Sequence, residues 1–412
     1  METCLELETD LRQMILALET AVDLVGMNDT NHGKRVGYIA SQLAHKLGHS
    51  EDEIHFVFEL GLLHDCGVST EQMHSNLVNH FDWVDAHVHC EIGYGLLRKF
   101  APLARFALPI LYHHTPWKDL KELNLSPRDA RIANIIFLSD RIDVMSAAHY
   151  DLDILLVKQD ILNSIIGYSG TYFDPELVEA FLEMEKTEAF WFSLEARHVA
   201  RFTWDMGEFK TKSSITGAEL KQLAHILGYI VDQKSPLTAQ HSARVGALAQ
   251  YLGICYGLSD VQCEKIEIAG FLHDVGKLGT PDYILEKPGP LSQVERTIIN
   301  QHSYETYEIL RHIDGLEDIA LWAAYHHEGV NGTGYPFHPG TLEFSIEARI
   351  ISVADIFQAL AQDRPYWAGM PLEKIVEVLD VLVEKGTLEP SVVVLAKRNK
   401  DRCFELASGA RV

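Results

Sequence analysis

The chain has 412 residues, more than one compact core usually holds, and is 47% hydrophobic and 23% charged, so two soluble domains are expected and disorder is not. Its formal net charge of -24 repels polyanions at long range and excludes the basic footprint of a protein that binds a nucleic-acid polymer. The first residues lack a basic region followed by an apolar run, and no apolar stretch is long enough to span a bilayer, so a cytoplasmic protein without a membrane partner is expected.

Helical spacing dominates from the start. Residues 10–25 read as a helix with Leu11, Ile15, Leu18 and Val22 on one side. Helices over 36–47, closed by Gly48, and over 53–64 follow, then 89–100 and 103–113. A polar loop holding Pro116 and Pro127 leads to a helix over 132–147, and Gly170 to Pro175 caps another over 176–185. Residues 206–217 read as a linker. Beyond it the pattern restarts over 218–231, 243–252, 260–273, 291–310, 319–327, 348–360 and 372–384. Cys4, Cys66, Cys90, Cys255, Cys263 and Cys403 form no C-x-x-C, which suits reduced core thiols.

The chain repeats itself. His32 and His241 are 209 residues apart, as are His64 and His273; His89 and His302, and His113 and His326, are offset by 213, and Asp140 and Asp355 by 215. The fold class is therefore all-α, a tandem duplication of one helical bundle, with an N-terminal domain over 1–205, the linker, and a C-terminal domain over 218–412.

Each copy carries the same ordered set of imidazoles and carboxylates. The second holds His241, His273, Asp274, His302, His326, His327 and Asp355; the first holds His32, His64, Asp65, His89, His113, His114 and Asp140. Donors of this kind, delivered from several helices, build di-metal centres in helical proteins. Many nitrogens, few carboxylates and no thiolate favour iron, manganese or another first-row metal over calcium or magnesium. A single buried histidine is more often a core residue or a helix cap; seven recurring positions are not explained that way.

The second half resembles an HD-GYP domain, the phosphodiesterase branch of the HD metal-dependent phosphohydrolase superfamily. The residues that carry the resemblance are His241-Ser242-Ala243-Arg244-Val245, His273-Asp274-Val275-Gly276-Lys277, His326-His327-Glu328, Gly332-Thr333-Gly334-Tyr335-Pro336 and Ala354-Asp355-Ile356-Phe357, with Asp363-Arg364-Pro365-Tyr366. The first half resembles a degenerate HD domain, and the whole chain is similar to tandem HD/HD-GYP proteins that hydrolyse cyclic dinucleotides, including 3',3'-cGAMP. The resemblance implies two divalent metal ions bridged by Asp274, with His241, His273 and Asp355 on one and His302, His326 and His327 on the other. It also implies cleavage of cyclic 3',3'-cGAMP or c-di-GMP to a linear, 5'-phosphorylated dinucleotide, with Asp274 and Lys277 catalytic. Substrate contacts are expected from Lys277, Arg364, Tyr335 and Trp367.

Departures from the pattern are informative. Leu237 stands where some relatives carry a glutamate for a third metal, Thr306 replaces a common glycine, and Gln358 replaces a common aspartate. In the first unit Val68 stands in place of Lys277 and Thr115 in place of Glu328, and no Gly-Tyr-Pro follows. Phosphodiester cleavage is not expected there. Two readings of that unit remain: a regulatory or dimerising module with a metal, or an accessory 5'-nucleotidase. The competing class for the whole chain is a non-catalytic, nucleotide-sensing signalling adaptor, and the sequence does not decide between a homodimer and a signalling-protein partner.

Overall fold

A computed structural model describes residues 6–26, 31–79, 85–150, 152–207, 212–234, 240–340, 343–363 and 369–409. The chain divides into two compact units, one of Met14–Thr211 and one of Met1–Gln13 with Lys212–Val412. The first residues join the second unit because strand Glu6–Asp10 pairs antiparallel with strand Lys212–Thr216, Glu6 opposite Thr216 and Asp10 opposite Lys212. That strand occupies the stretch expected to be an irregular linker. Its Ser-Ser-Ile-Thr run suits an extended ribbon once a partner strand is present. The remaining regular structure among the described residues is helical, a bundle in each unit.

In the N-terminal unit the expected helices appear as His32–Lys46, Glu51–Leu63, His87–Leu97, Ala104–Tyr112, Pro127–Ser146 and Pro175–Met184. Pro127 starts a helix rather than lying in the loop: its missing N–H costs nothing at the first helical position, and Ser126 caps the turn by accepting from the Asp129 amide at 3.0 Å. Helices Glu71–Asn79, Ile154–Gly167, Glu188–Phe192 and Ala196–Gly207 were not expected. In Ile154–Gly167 the buried stripe Ile154, Ile161, Leu162 and Ile165 has helical spacing, but the exposed Leu156 and Ile166 blur it.

In the C-terminal unit helices Gly217–Lys234, His241–Tyr256, Asp260–Leu272, Glu317–Ala324, Ile346–Ala361 and Leu372–Glu384 follow the expected order. The single helix expected over 291–310 is two, Gln293–Asn300 and His302–Leu310, so His302 opens a helix instead of lying inside one. Pro390–Arg398 and Lys400–Ser408 complete the unit.

The same close crossing anchors both units. Helices His241–Tyr256 and Asp260–Leu272 meet at Gly246 and Gly270, where a Cβ on Gly270 would lie 2.7 Å from the Gly246 Cα. The N-terminal hairpin meets at Gly37 and Gly61, where the same distance is 2.5 Å. Only glycine permits backbones this close. A third helix, Ile346–Ala361 or Pro127–Ser146, packs against the first member of each hairpin. Its fully buried residues, such as Ile350, Val353 and Phe357, each contribute about 1.5–3 kcal/mol by leaving water.

Candidate metal centres

The imidazoles sit at or near helix ends, which is why they converge. His273 follows the last residue of Asp260–Leu272, and its Nδ1–H donates to the Gly270 carbonyl at 2.7 Å, satisfying an acceptor the helix leaves open. His326 does the same with Ala323 at 2.6 Å and His302 with Ile299 at 2.6 Å. A carbonyl can only accept, so Nδ1 carries the proton and Nε2 presents a bare lone pair to the centre. His241 opens its helix after Gln240, whose φ of 64° turns the chain sharply. Its ring is bracketed by one turn of Ile346–Ala361: Asp355 Oδ1 lies 3.4 Å from Nε2, and Gln358 Oε1 accepts from Nδ1 at 2.5 Å.

Asp274 lies between two groups of donors. Its Oδ2 is 3.3 Å from both His241 Nε2 and His273 Nε2, while Oδ1 is 3.5 Å from His302 Nε2 and 3.8 Å from His326 Nε2. One cluster is His241, His273 and Asp355; the other is His302, His326 and His327. Facing Nε2 atoms are 3.1 Å apart in the first cluster and 3.2 Å in the second. Two lone pairs that close repel, whereas nitrogens bound about 2.1 Å from one cation at near right angles lie about 3 Å apart. Asp274 Oδ1 is buried without a hydrogen-bond partner among the described residues, a cost of about 1–3 kcal/mol or more that a cation removes. The donor set therefore fits divalent metal.

Around the charged carboxylate, electrostatics keep the His302, His326 and His327 side neutral, whereas at His273 burial is outweighed by Asp274 and Asp355, which raise it. Burial pushes His302 and His326 well below the usual histidine range and His327 down to about 4, with Lys277 or neighbouring rings adding to the effect. Burial alone would raise Asp274, but His273, Lys277 and His241 together outweigh it and hold the carboxyl well below the usual range.

Lys277 Nζ ion-pairs with Asp274 Oδ2 at 2.6 Å. The helix ends at Leu272 and Val275–Gly279 is a 3-10 turn, so the lysine reaches the aspartate three residues back rather than projecting along a continuous helix face. Thr306, at the position of a common glycine, locks that turn: its hydroxyl donates to the His273 carbonyl and accepts from the Gly276 amide, both at 3.0 Å. Glu328 is buried, and its Oε1 accepts from the Phe337 and His338 amides at 2.7 and 3.0 Å, closing the Gly-Tyr-Pro loop. Tyr335 lies over His327, ring centres 4.9 Å apart. Arg364, Trp367 and Leu237 lie outside the described residues.

The N-terminal unit assembles its own set. His64 Nδ1–H donates to Gly61 at 2.8 Å and His113 Nδ1–H to Ile110 at 2.7 Å. His89 and His113 bring their Nε2 atoms to 3.2 Å. Asp65 Oδ1 is 3.3 Å from His89, and its Oδ2 lies 3.6 Å from His64 and 3.7 Å from His32. Asp140 lies 3.5 Å from His32 and 3.8 Å from His114. Among the described residues, Asp65 Oδ1 and His64 Nε2 are buried without hydrogen-bond partners. These donors fit a cation as well.

Several residues around the centres escaped notice in the sequence. Asp143, the twin of Gln358, accepts from His32 Nδ1 at 2.7 Å, from Arg35 at 2.6 Å and from the Tyr150 hydroxyl at 2.6 Å. Arg141, the twin of Ile356, clamps Asp140 Oδ2 at 2.8 Å. The expectation of centres without a nearby thiol needs correction: Cys90 Sγ is 3.7 Å from His89 Nε2 and 3.6 Å from His113 Nδ1, and the signal was its place directly after His89. Glu19, buried behind the centre, has its carboxyl pushed up to about 7 by burial, which Lys34 offsets only in part.

Comparison with known proteins agrees with this architecture. The chain matches the HD domain family over residues 30–145 and again over 225–391. It is 36% identical over 410 residues to 3'3'-cGAMP-specific phosphodiesterase 1 of Vibrio cholerae serotype O1, covering 98% of this chain and 95% of that protein. It is 26% identical to the same organism's 3'3'-cGAMP-specific phosphodiesterase 3, covering 90% of each. A Thermotoga maritima cyclic di-GMP phosphodiesterase is 36% identical over 176 residues, 42% of this chain and 48% of that one. A crystal structure of a V. cholerae cyclic GMP-AMP specific phosphodiesterase shares the fold, with a TM-score of 0.65 and 24% identity, covering 95% of this chain and 97% of that one. The chain belongs to the tandem HD-domain family that includes the Vibrio cholerae 3'3'-cGAMP-specific phosphodiesterase 1.

Proposed function

We propose that this protein is a metal-dependent phosphodiesterase that opens a cyclic dinucleotide messenger, 3',3'-cGAMP or c-di-GMP, to a linear 5'-phosphorylated dinucleotide in its C-terminal unit. The observation that carries the reading is Asp274, whose two oxygens face two separate imidazole clusters while Lys277 grips one of them. Two divalent cations, iron or manganese, would be held by His241, His273 and Asp355 and by His302, His326 and His327, with Asp274 shared. When bound they supply Lewis acidity, which lowers the pKa of an attacking water and neutralises the phosphate.

The chain's own residues supply position and charge. Nδ1–H bonds to backbone carbonyls hold His273, His302 and His326 in one tautomer and orientation. Gln358 does so for His241. Lys277 brings an ammonium beside Asp274, placed to meet a non-bridging phosphate oxygen or the departing 3'-oxygen. Glu328 holds the loop that carries Tyr335, whose ring, already against His327, offers a base a stacking surface. Arg364 and Trp367 are proposed to meet the second phosphate and a base.

Likeness across nearly the whole chain to a 3'3'-cGAMP-specific relative supports cGAMP over c-di-GMP. The retained donor set and Lys277 weigh against a non-catalytic nucleotide-sensing adaptor. The test is to incubate metal-loaded protein with each cyclic dinucleotide and follow the linear product by chromatography, with Asp274→Ala as control. Equal turnover by that variant overturns the mechanism.

The N-terminal unit favours the accessory 5'-nucleotidase over a purely structural metal. A structural site is closed by four ligands, whereas seven candidate donors surround this centre and some, such as His64 Nε2, have no hydrogen-bond partner among the described residues. Inorganic phosphate release from the linear product, lost in Asp65→Ala, is the expected result. Unchanged release in that variant leaves only the regulatory reading.

A further inference from the structure

The duplication exposes an exchange of side chains behind the N-terminal centre. Glu19 occupies the position of Gly228, Gly33 that of Ser242 and Lys34 that of Ala243, each pair 209 residues apart. The swap is reciprocal in space. In the C-terminal unit the Ser242 side chain sits over Gly228, where an added Cβ would lie 3.4 Å from the Ser242 Cβ. In the N-terminal unit Glu19 lies over Gly33, where an added Cβ would meet its Cγ at 3.0 Å. Where one unit carries the serine, the other carries the carboxylate.

That carboxylate is only half satisfied. Its Oε2 pairs with Lys34 at 3.0 Å, while its Oε1 is buried without a hydrogen-bond partner among the described residues. Glu19 is 3% exposed, and leaving such an oxygen bare costs about 1–3 kcal/mol or more. Glu19 lines a cavity of about 20 Å³ that it shares with Asp23, His32, His64, Asp65 and His74. A space of that size accommodates one water, which needs at least about 10–15 Å³ and two or more polar partners. The lining includes His64, whose Nε2 is also buried without a hydrogen-bond partner among the described residues. This unit has lost Lys277, since Val68 stands there, and has gained a Lys–Glu pair on the hairpin side of the centre.

We propose that Glu19 is the water-holding carboxylate of a phosphate-monoester hydrolase in the N-terminal unit, a reading that rests on the accessory nucleotidase activity proposed above. Oε1 accepts a hydrogen bond from the cavity water. As that water's oxygen bonds to phosphorus, one of its protons passes to Oε1; the ester P–O bond breaks on the opposite side, the departing alkoxide takes a proton from solvent water, and Oε1 later releases its own proton to solvent, giving inorganic phosphate and an alcohol. Lys34 is a positioning residue that holds Oε2 so that Oε1 faces the cavity.

The test uses the full chain, loaded with manganese, in an Asp274→Ala background that silences the other centre. Phosphate release is followed from a linear 5'-phosphorylated dinucleotide and from p-nitrophenyl phosphate. Glu19→Gln should lower kcat at least about 100-fold, as expected for loss of a general base, with KM within threefold and bound metal unchanged. With Asp274 intact, the same substitution should leave cyclic-dinucleotide opening at its original rate. Retention of kcat within twofold, while Asp65→Ala abolishes release, overturns the role of Glu19 and spares the nucleotidase. Full release in Asp65→Ala overturns the nucleotidase itself. Loss of metal in Glu19→Gln makes Glu19 a ligand and also overturns the proposal. Should Glu19→Gln fail to fold, Glu19→Asp keeps the charge and shortens its reach; wild-type kcat in that variant is equally fatal.

Discussion

In the C-terminal unit a lysine grips the shared aspartate: Lys277 stands 2.6 Å from Asp274, leaving Asp355 to the imidazoles. In the N-terminal unit the corresponding Asp65 is within ion-pair distance only of imidazoles among the described residues, and the buried cation, Arg141, clamps Asp140 instead. The histidine cages are alike, yet the positive charge has moved from one end of the centre to the other. What separates the two copies is therefore the charge and hydrogen bonding behind the donors. A mobile ammonium beside the shared carboxylate suits a phosphodiester in transit; a guanidinium held by Asp140 and the Leu77 carbonyl does not move with a substrate.

The strongest way to break this comparison is to remove the shared carboxylate in each copy. Asp274→Ala should reduce cyclic-dinucleotide opening by about a thousandfold or more, whereas Asp65→Ala should leave that rate within twofold, both measured by product formation at saturating substrate. Comparable losses would mean that both centres serve one reaction. Lys277→Met should cost about 100-fold in kcat with metal content intact. Its mirror, Val68→Lys, should confer no phosphodiesterase activity on an Asp274→Ala chain, because the Glu328-held loop is still missing from that unit.

A smaller effect separates Asp143 from Gln358. Asp143→Leu takes the shared carboxylate from Arg35, His32 and the Tyr150 hydroxyl in the interior and should destabilise its unit by about 3–5 kcal/mol in chemical denaturation. Gln358→Leu removes neutral hydrogen bonds to His241 and the Ala407 carbonyl and should cost about 1–3 kcal/mol. Equal losses would show that the carboxylate-for-amide exchange carries no energetic weight.

The smallest expected contrast is acid sensitivity without metal. In the C-terminal unit His302, His326 and His327 are all pushed down by burial, and only His273 is raised, by Asp274 and Asp355 acting against burial. A lowered histidine binds fewer protons folded than unfolded, so its stability is present above pH 6.5 and drains as pH falls towards its folded value, about 4 for His327. A raised histidine acts in the opposite sense: its stability is fully present below pH 6.5 and is lost as pH rises through its folded value. The N-terminal unit balances lowered His64 and His114 against raised His32 and His89. Between pH 6.5 and 4 the melting temperature of the metal-free C-terminal unit should therefore fall further than that of its twin. Hydrogen exchange resolved by unit would read the difference.

Much of this was legible in the letters. Helical periodicity set out most of the bundle, and recurrence at offsets of 209 to 215 singled out fourteen donors that come together in two places. Helices such as Ile154–Gly167 escaped because exposed leucine and isoleucine blur their buried stripe, and the second strand did because its partner lies some two hundred residues earlier. Which nitrogen each imidazole presents was beyond the sequence, since it depends on a carbonyl or side chain reached only in the folded chain, 117 residues away for His241 and Gln358. Glu19 could have been seen as a carboxylate facing a glycine in the alignment of the two halves; that its Oε1 has no hydrogen-bond partner among the described residues, and that the residue lines a cavity with the centre's donors, could not. The sequence by itself determined the repeat, most of the helices and which candidate donors recur in both halves, because periodicity and duplication are written along the chain. Only the tertiary structure decided their tautomers, the place of the balancing cations and the unsatisfied atoms, because burial and hydrogen bonding exist only between segments brought together by packing.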